Sequence, residues 1–104
     1  MPPYFSWNTE MAALLADATS NTTGSGAAHT GPCTVFVYGT FEGQENVFIE
    51  IAPNDVSAEY CLFGPFSVVK GQSAVNVEGR GTYYLRARLT GAGDTTSISV
   101  DSTQ

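Results

Sequence analysis

The residues best suited to contact a partner lie in the stretch GTYYLRARLTGAG. Arg86 and Arg88 are half of the four Lys and Arg residues in the chain, and Tyr84 stands two positions before them. Side chains two apart share one face of a strand, so these three are expected to form an outward strip. Arg and Tyr are enriched at protein interfaces, which favours a contact surface. The alternative is that the arginines pair across the sheet with Glu50 or Glu78, each pair contributing under about 1 kcal/mol.

Groups that usually carry catalysis are sparse. His29 is the only histidine and lies in a small, polar segment, so it is expected in a solvent-exposed loop rather than in a Ser-His-Asp site. Asp55 and Glu59 are oxygen donors of the kind calcium binds, but they are not part of a dense acidic loop. The GSG sequence has no Lys beside it and no strand before it, so it does not predict phosphate binding. We therefore expect neither an enzyme nor a bound cofactor.

Cys33 and Cys61 are the only cysteines. Together with a single histidine they fall short of the four ligands of a zinc site. We expect free thiols that behave as small hydrophobic residues, and a disulfide is the alternative if their strands are neighbours.

Composition narrows the classes of function. A chain of 104 residues is the size of one domain, and its net charge of −6 disfavours both nucleic acid and an anionic membrane surface as partners. It contains no apolar stretch long enough to span a bilayer and no secretion signal, so we expect synthesis in the cytoplasm.

Residues 1–32 differ in composition from the rest. The sequence NTEMAALLADAT predicts a short helix, capped by Asn8 or Thr9, with its apolar residues at helical spacing. Residues 20–32 are small and polar and predict a flexible connector. We therefore expect an N-terminal arm and connector over 1–32 and a folded domain over 33–104. The apolar residues of the predicted helix are Met11, Leu14 and Leu15.

The first seven residues of the arm include three aromatic residues, Tyr4, Phe5 and Trp7. Each buries about 150–250 Å² when it packs, which roughly offsets the entropy lost on ordering the segment. Such a segment is ordered when it finds a groove. The groove belongs either to its own domain or to a neighbouring subunit, and we predict these aromatics as partner contacts.

From Cys33 onward apolar and polar residues alternate in short runs separated by turn sequences. This pattern predicts about seven short strands in an all-β antiparallel sandwich, of immunoglobulin-like or jelly-roll type. The predicted strands cover 33–41, 46–51, 57–63, 65–70, 73–78, 82–89 and 95–101.

Two stretches carry a resemblance to a known class of protein. CTVFVYGTFEGQENVFIEIAPND and the later GTYYLRARLTGAGDTTSISV resemble small structural proteins of tailed bacteriophages, over the region from Cys33 to Val100. The resemblance implies a β-sandwich carried on the virion as a capsid decoration or cement protein. It also implies the major capsid protein as partner and assembly as a dimer or trimer.

The alternative function is a tail or head-fibre module that binds a glycan or receptor on the host surface. Phe36, Tyr38 and Phe48 are predicted on outward faces, where aromatic rings stack on sugars. The competing interpretation is that these rings pack in a subunit interface or under the arm.

Overall fold

The computed structural model describes residues 11–63 and 68–103. The described part of the chain forms ten strands and one 3-10 turn, Ser57–Glu59, and the expected contacts of Tyr4, Phe5 and Trp7 lie outside it. In chain order the strands are β1 Met11–Ala18, β2 Thr22–Thr23, β3 Ala27–Thr30, β4 Cys33–Thr40, β5 Asn46–Ala52, β6 Cys61–Leu62, β7 Val68–Val69, β8 Ser73–Val77, β9 Thr82–Thr90 and β10 Ser97–Thr103.

The strands form two antiparallel sheets. The first has the order β1-β10-β4-β8. In the second, β9 and β5 lie side by side, β2 and β3 share the outer edge of β9, and β6 and β7 share the outer edge of β5. The sandwich predicted from sequence is confirmed.

The strand pairing identifies the topology. Four antiparallel pairs run through the chain: β1 with β10, β2 and β3 with β9, β4 with β8, and β5 with β6 and β7. Contacts of β10 with β4 and of β9 with β5 then join these pairs into two sheets. This is the strand order of a jelly roll, one of the two arrangements that the sequence allowed.

The core lies between the sheets and follows the alternation in the sequence. From Tyr83 onward on β9, every second side chain is buried and those between are half-buried, so the strip of Tyr84, Arg86 and Arg88 faces outward as predicted. Each of the seven regions predicted as strands contains one. The buried hydrophobic side chains of the predicted strands 33–41, 82–89 and 95–101 are Cys33, Val35, Val37, Tyr83, Leu85, Ala87, Leu89, Ile98 and Val100.

The predicted helix is wrong, because β1 occupies its place. Ala13 lies opposite Asp101, but the next pair is Leu15 with Val100, so one extra residue is inserted as a β-bulge, and a second irregularity follows before the strand ends. The bulge turns both Leu14 and Leu15 into the core. Two adjacent buried leucines break the period of two and imitate the spacing of a helix.

The predicted flexible connector is also wrong, because β2 and β3 pair with β9. Residues 11–30 thus supply three strands of the sandwich, and the expected boundary between 32 and 33 does not separate an arm from a domain. At Gly24 an added Cβ would lie 1.9 Å from the carbonyl oxygen of Leu14. This glycine is required by a close approach of two backbone segments rather than by flexibility.

Candidate functional site

The outward strip of β9 lies beside β5 in a fixed register. Arg86 is opposite Glu50, and Arg88 is opposite Phe48. Directly opposed residues project from the same face of a sheet, so the acidic and the aromatic residue meet the two arginines on the outer surface. We call Phe48, Glu50, Tyr60, Arg86 and Arg88 the arginine platform.

One carboxylate holds both arginines. Nε of Arg86 lies 2.6 Å from Oε1 of Glu50, and Nε of Arg88 lies 3.2 Å from Oε2. The Glu50 side chain is 10% exposed, against 16% for Arg86 and 36% for Arg88. Of the two acidic partners predicted for the strip, Glu50 is therefore the one used. Two guanidiniums against one carboxylate leave a local excess of positive charge on an otherwise acidic protein.

Each guanidinium also lies over an aromatic ring. Cζ of Arg86 is 4.1 Å from the centre of the Tyr60 ring, and Cζ of Arg88 is 4.1 Å from the centre of the Phe48 ring. Nη1 of Arg86 donates to Oγ of Ser57 at 3.2 Å. Ion pairing and ring contact together hold each guanidinium plane in one orientation, which lowers the entropy lost when a partner binds it.

Tyr60 is itself held in place by a hydrogen bond. Its hydroxyl donates to Oδ1 of Asp55 at 2.8 Å. Burial, reinforced by this hydrogen bond, raises the pKa of Tyr60 to about 12, so the phenol is neutral under ordinary conditions. The ring beneath Arg86 therefore stays a neutral aromatic surface.

The platform leaves donors for a partner. Within the described ranges Arg88 engages Glu50 through Nε, and its two terminal nitrogens make no hydrogen bond there. The Arg88 side chain is 36% exposed, so these nitrogens are accessible to a partner. This arrangement suits a carboxylate presented by another protein, because a guanidinium binds a carboxylate through two parallel hydrogen bonds.

A second surface lies on the outer face of the first sheet. It is an open and mainly apolar depression of about 580 Å³, which we call the outer groove. Phe36 is 41% exposed and Tyr38 43% exposed, as predicted, whereas Phe48 is half-buried beneath Arg88. The hydroxyl of Tyr38 donates to Oδ2 of Asp101, and this hydrogen bond raises the pKa of the phenol. The outer groove is lined by Met11, Phe36, Val37, Tyr38, Gln72, Ser73, Ala74 and Asp101.

Sequence reasoning found the outward rings of the outer groove but not the groove itself. Met11 was assigned to a helix, and Ala74 is brought beside Phe36 only by the pairing of β4 with β8. The ring contacts of the arginine platform were missed for a similar reason, because Tyr60 follows the 3-10 turn and is far from β9 in the sequence. For Phe48 the sequence did hold a signal: once Glu50 is paired with Arg86, the alternation on β5 and β9 places Phe48 opposite Arg88.

His29 is buried, not an exposed loop residue as predicted. It is 2% exposed and stacks on Tyr83 at 5.8 Å between ring centres. Nδ1 lies 2.9 Å from the carbonyl oxygen of Ala27, which only accepts, so Nδ1 donates there and Nε2 accepts from Oγ of Ser102 at 2.5 Å. Ser102 is fully buried, so this serine and histidine link the two sheets and are closed to a substrate.

Both cysteines are free thiols, as expected, with Cys33 buried and Cys61 exposed. Burial raises the pKa of the Cys33 thiol, although a hydrogen bond from Tyr83 partly opposes the shift. Cys33 is thus a core residue with low thiolate content.

The two carboxylates considered as calcium ligands, Asp55 and Glu59, accept hydrogen bonds from side chains of the same chain. Oε1 of Glu59 accepts from Asn54, and Asp55 accepts from Tyr60. Over residues 11–63 and 68–103 no group of three or more His, Cys, Asp or Glu side chains is arranged to hold a metal ion. The same residues contain no helix with the length and apolar character needed to cross a membrane.

Because comparison with known proteins gives no match, functional inference starts from the jelly roll and its two surfaces. No protein-family model matches the chain, no curated protein is significantly similar to it in sequence, and no solved structure is significantly similar to its fold.

Proposed function

We propose that this protein is a structural virion protein that binds the outer surface of a phage capsid and bridges neighbouring shell subunits, without catalysis. The observation that carries the proposal is the arginine platform, a preorganised cationic and aromatic surface on the outside of a small sandwich. Its partner would be the major capsid protein, met through an acidic or carboxylate-bearing patch.

Bridging requires two separate contact surfaces on one molecule. The arginine platform lies on the outer face of the second sheet, and the outer groove lies on the outer face of the first. Because the sheets pack back to back, the two surfaces face opposite directions. A small sandwich with this arrangement is suited to lie between two neighbours.

The fold is compatible with this role. Jelly rolls occur in viral capsid proteins and in lectin domains, and a fold alone does not identify a function. The resemblance of residues 33–100 to small phage structural proteins supports the first of these. Assembly as a dimer or trimer, and location on the virion after synthesis in the host cytoplasm, are parts of the same proposal.

Shell binding by surface variants tests the proposal. Purified shells that lack this protein are mixed with the wild type, Arg88→Gln or Tyr84→Ser, and the bound fraction is measured by co-sedimentation. We expect weaker binding by both variants, since Arg88 belongs to the arginine platform and Tyr84 to the same outward strip of β9. Asp94→Asn is the control, because Asp94 is exposed in the turn between β9 and β10 and is not part of either surface. Undiminished binding by both variants would contradict the outer face of β9 as the contact.

The N-terminal aromatics need a separate variant. A deletion of residues 1–17 would remove most of β1 and with it the buried Leu14 and Leu15. The informative variant replaces Tyr4, Phe5 and Trp7 together with Ser and leaves β1 intact. Loss of shell binding by this variant at unchanged stability would make the arm part of the bridge.

Glycan binding is the second candidate, favoured by the exposed rings of Phe36 and Tyr38 next to the carboxylate of Asp101. Aromatic faces with a few polar groups at the rim are typical of small-ligand sites. A glycan array probed with the wild type and with Phe36→Ser tests it. A signal lost in the variant would support a fibre or receptor-binding role, and no signal at high protein concentration would count against it.

A further inference from the structure

The outer groove lies where the chain enters the sandwich. Met11 is the first residue of β1, forms part of the groove wall and is 61% exposed. Among the described residues, five large hydrophobic side chains are notably exposed, and three of them line this groove. An apolar patch with a polar rim marks a site that another segment or molecule covers. These three are Met11, Phe36 and Tyr38.

The ten residues that precede Met11 join the described structure at the edge of this groove. Met11 is on β1 at the sheet edge, and Phe36 is on β4, two strands further in. At about 4.8 Å per strand the lateral distance is about 10 Å. Met11 is level with Thr34, so Phe36 is also two residues further along the sheet, and the direct distance is about 12 Å for a segment that turns back at Met11. Trp7 is four residues before Met11, and four extended residues span at most about 14 Å. The tryptophan can therefore reach Phe36 without crossing to another molecule.

The composition of this segment matches the groove. The sequence MPPYFSW holds two prolines and three aromatic residues and has no charged side chain. Consecutive prolines favour an extended polyproline conformation, and aromatic-lined grooves bind such segments with a small loss of entropy. The groove offers the rings of Phe36 and Tyr38, with Gln72 and Asp101 as polar groups at its rim.

We propose that the N-terminal segment over residues 2–7 occupies the outer groove of its own chain, with Trp7 packed against Phe36 and Tyr38. A segment joined to the groove wall at Met11 has a high effective concentration there, which favours it over a free ligand or a second copy. This inference does not depend on the virion proposal, since it concerns the isolated protein. In the bridging role the first sheet would then present the bound segment, rather than the bare groove, to a neighbouring subunit.

Trp7 is the only tryptophan in the chain, so its fluorescence reports on this segment alone. The experiment uses the full chain and compares its emission maximum and acrylamide quenching with those of the free peptide MPPYFSWN. We expect blue-shifted emission and protection from acrylamide in the wild type. Phe36→Ser and Tyr38→Ser are each expected to shift the emission toward that of the peptide and to lose most of the protection.

Two controls keep the result interpretable. Leu62→Ser removes a side chain of similar exposure from the other sheet and is expected to leave the emission unchanged. Circular dichroism and thermal unfolding show whether each variant keeps the native fold. Nuclear Overhauser contacts between the Trp7 indole and the Phe36 ring in the wild type give direct support without any substitution.

Three results would overturn the proposal. Emission and quenching of the wild type equal to those of the free peptide would show that the segment is not in a groove. Protection that persists in both groove variants would place Trp7 elsewhere. Protection that is lost on dilution, together with a dimer in light scattering, would assign the segment to a second copy. Shell binding is measured separately by co-sedimentation, so failure of one proposal is distinguishable from failure of the other.

Discussion

Glu50 and Arg86 face each other across the β5–β9 pair, with Nε of the arginine 2.6 Å from Oε1 of the glutamate. The same carboxylate receives Arg88 through its other oxygen. Glu50 thus holds the guanidiniums of both arginines, which occupy neighbouring outward positions on β9. The geometry of the whole arginine platform depends on this side chain.

Replacing Glu50 by Gln is therefore expected to destabilise the protein. The change leaves two adjacent cations without their shared counter-charge, and loss of one partner from a largely buried pair costs about 2–3 kcal/mol. The free energy of unfolding in urea measures it. Glu78→Gln is the control, because Glu78 is exposed and its change is expected to lie within about 0.5 kcal/mol of zero. Equal effects of the two substitutions would show that Glu50 is only a surface charge.

His29→Ala is expected to lower the free energy of unfolding by about 2–4 kcal/mol, because it opens a cavity beside Tyr83 and leaves the buried Ser102 hydroxyl without its acceptor. Thr22→Ala, on the exposed strand β2, is the matched control and is expected to have little effect. A double-mutant cycle with Ser102→Ala measures the coupling between the two side chains. Near-zero cost for His29→Ala would indicate an exposed histidine.

Acid is expected to destabilise the protein partly through Glu45. Its carboxylate accepts from the hydroxyl of Thr96 and from the backbone amides of Glu42 and Gly43, and these bonds lower its pKa from 4.5 to about 2. A folded pKa below the unfolded value gives stability that is present above pH 4.5 and is lost as the pH falls toward about 2.

Urea unfolding over a pH series checks this linkage. Glu45→Gln is expected to be less stable at neutral pH and to lose part of the pH dependence in that acid range. Asp94→Asn, an exposed change in a nearby turn, retains Glu45 and is expected to keep the wild-type dependence. A Glu45→Gln variant with unchanged pH dependence would contradict the assignment.

The two thiols are expected to differ in reactivity. Cys61 is exposed, whereas Cys33 is buried with a raised pKa, so one thiol per chain reacts rapidly with an aromatic disulfide reagent in the native state and the second only after unfolding. Cys61→Ser is expected to abolish the fast reaction. Two fast thiols would contradict the burial of Cys33, and none in the unfolded protein would indicate a disulfide.

Gly24→Ala is expected to destabilise the protein by about 1–3 kcal/mol, because its Cβ would overlap the carbonyl oxygen of Leu14 and the backbone would have to move. Gly71→Ala is the matched control, since an added Cβ there meets no atom within 4 Å. Thermal or urea unfolding compares the two. Equal stability of both variants would show that β1 and the Gly24 turn are not in close contact.

The alternation of apolar and polar residues predicted much of the fold. Strands after Cys33 keep a period of two, because one face of each strand must be buried and the other need not be. The outward position of Tyr84, Arg86 and Arg88 followed from the same rule, and the choice of Glu50 rather than Glu78 as their partner did not. This signal is local, so it needs no knowledge of which strands are neighbours.

The same rule failed before Cys33. A bulge places Leu14 and Leu15 side by side in the core, and the small residues around Gly24 allow a close backbone approach that composition alone presents as flexibility. His29 was misassigned with its segment. Bulges and close approaches exist only relative to a partner strand, and that partner, β9 or β10, lies more than fifty residues away.

The sequence by itself therefore determined the all-β class, the core faces after Cys33 and the outward position of the arginine strip. The tertiary structure decided the jelly-roll order, the three additional strands before Cys33, the rings beneath the arginines and the outer groove. The reason is physical: a side chain's face follows from the geometry of its own strand. Its neighbours follow from the free energy of packing distant strands together, which no local pattern records.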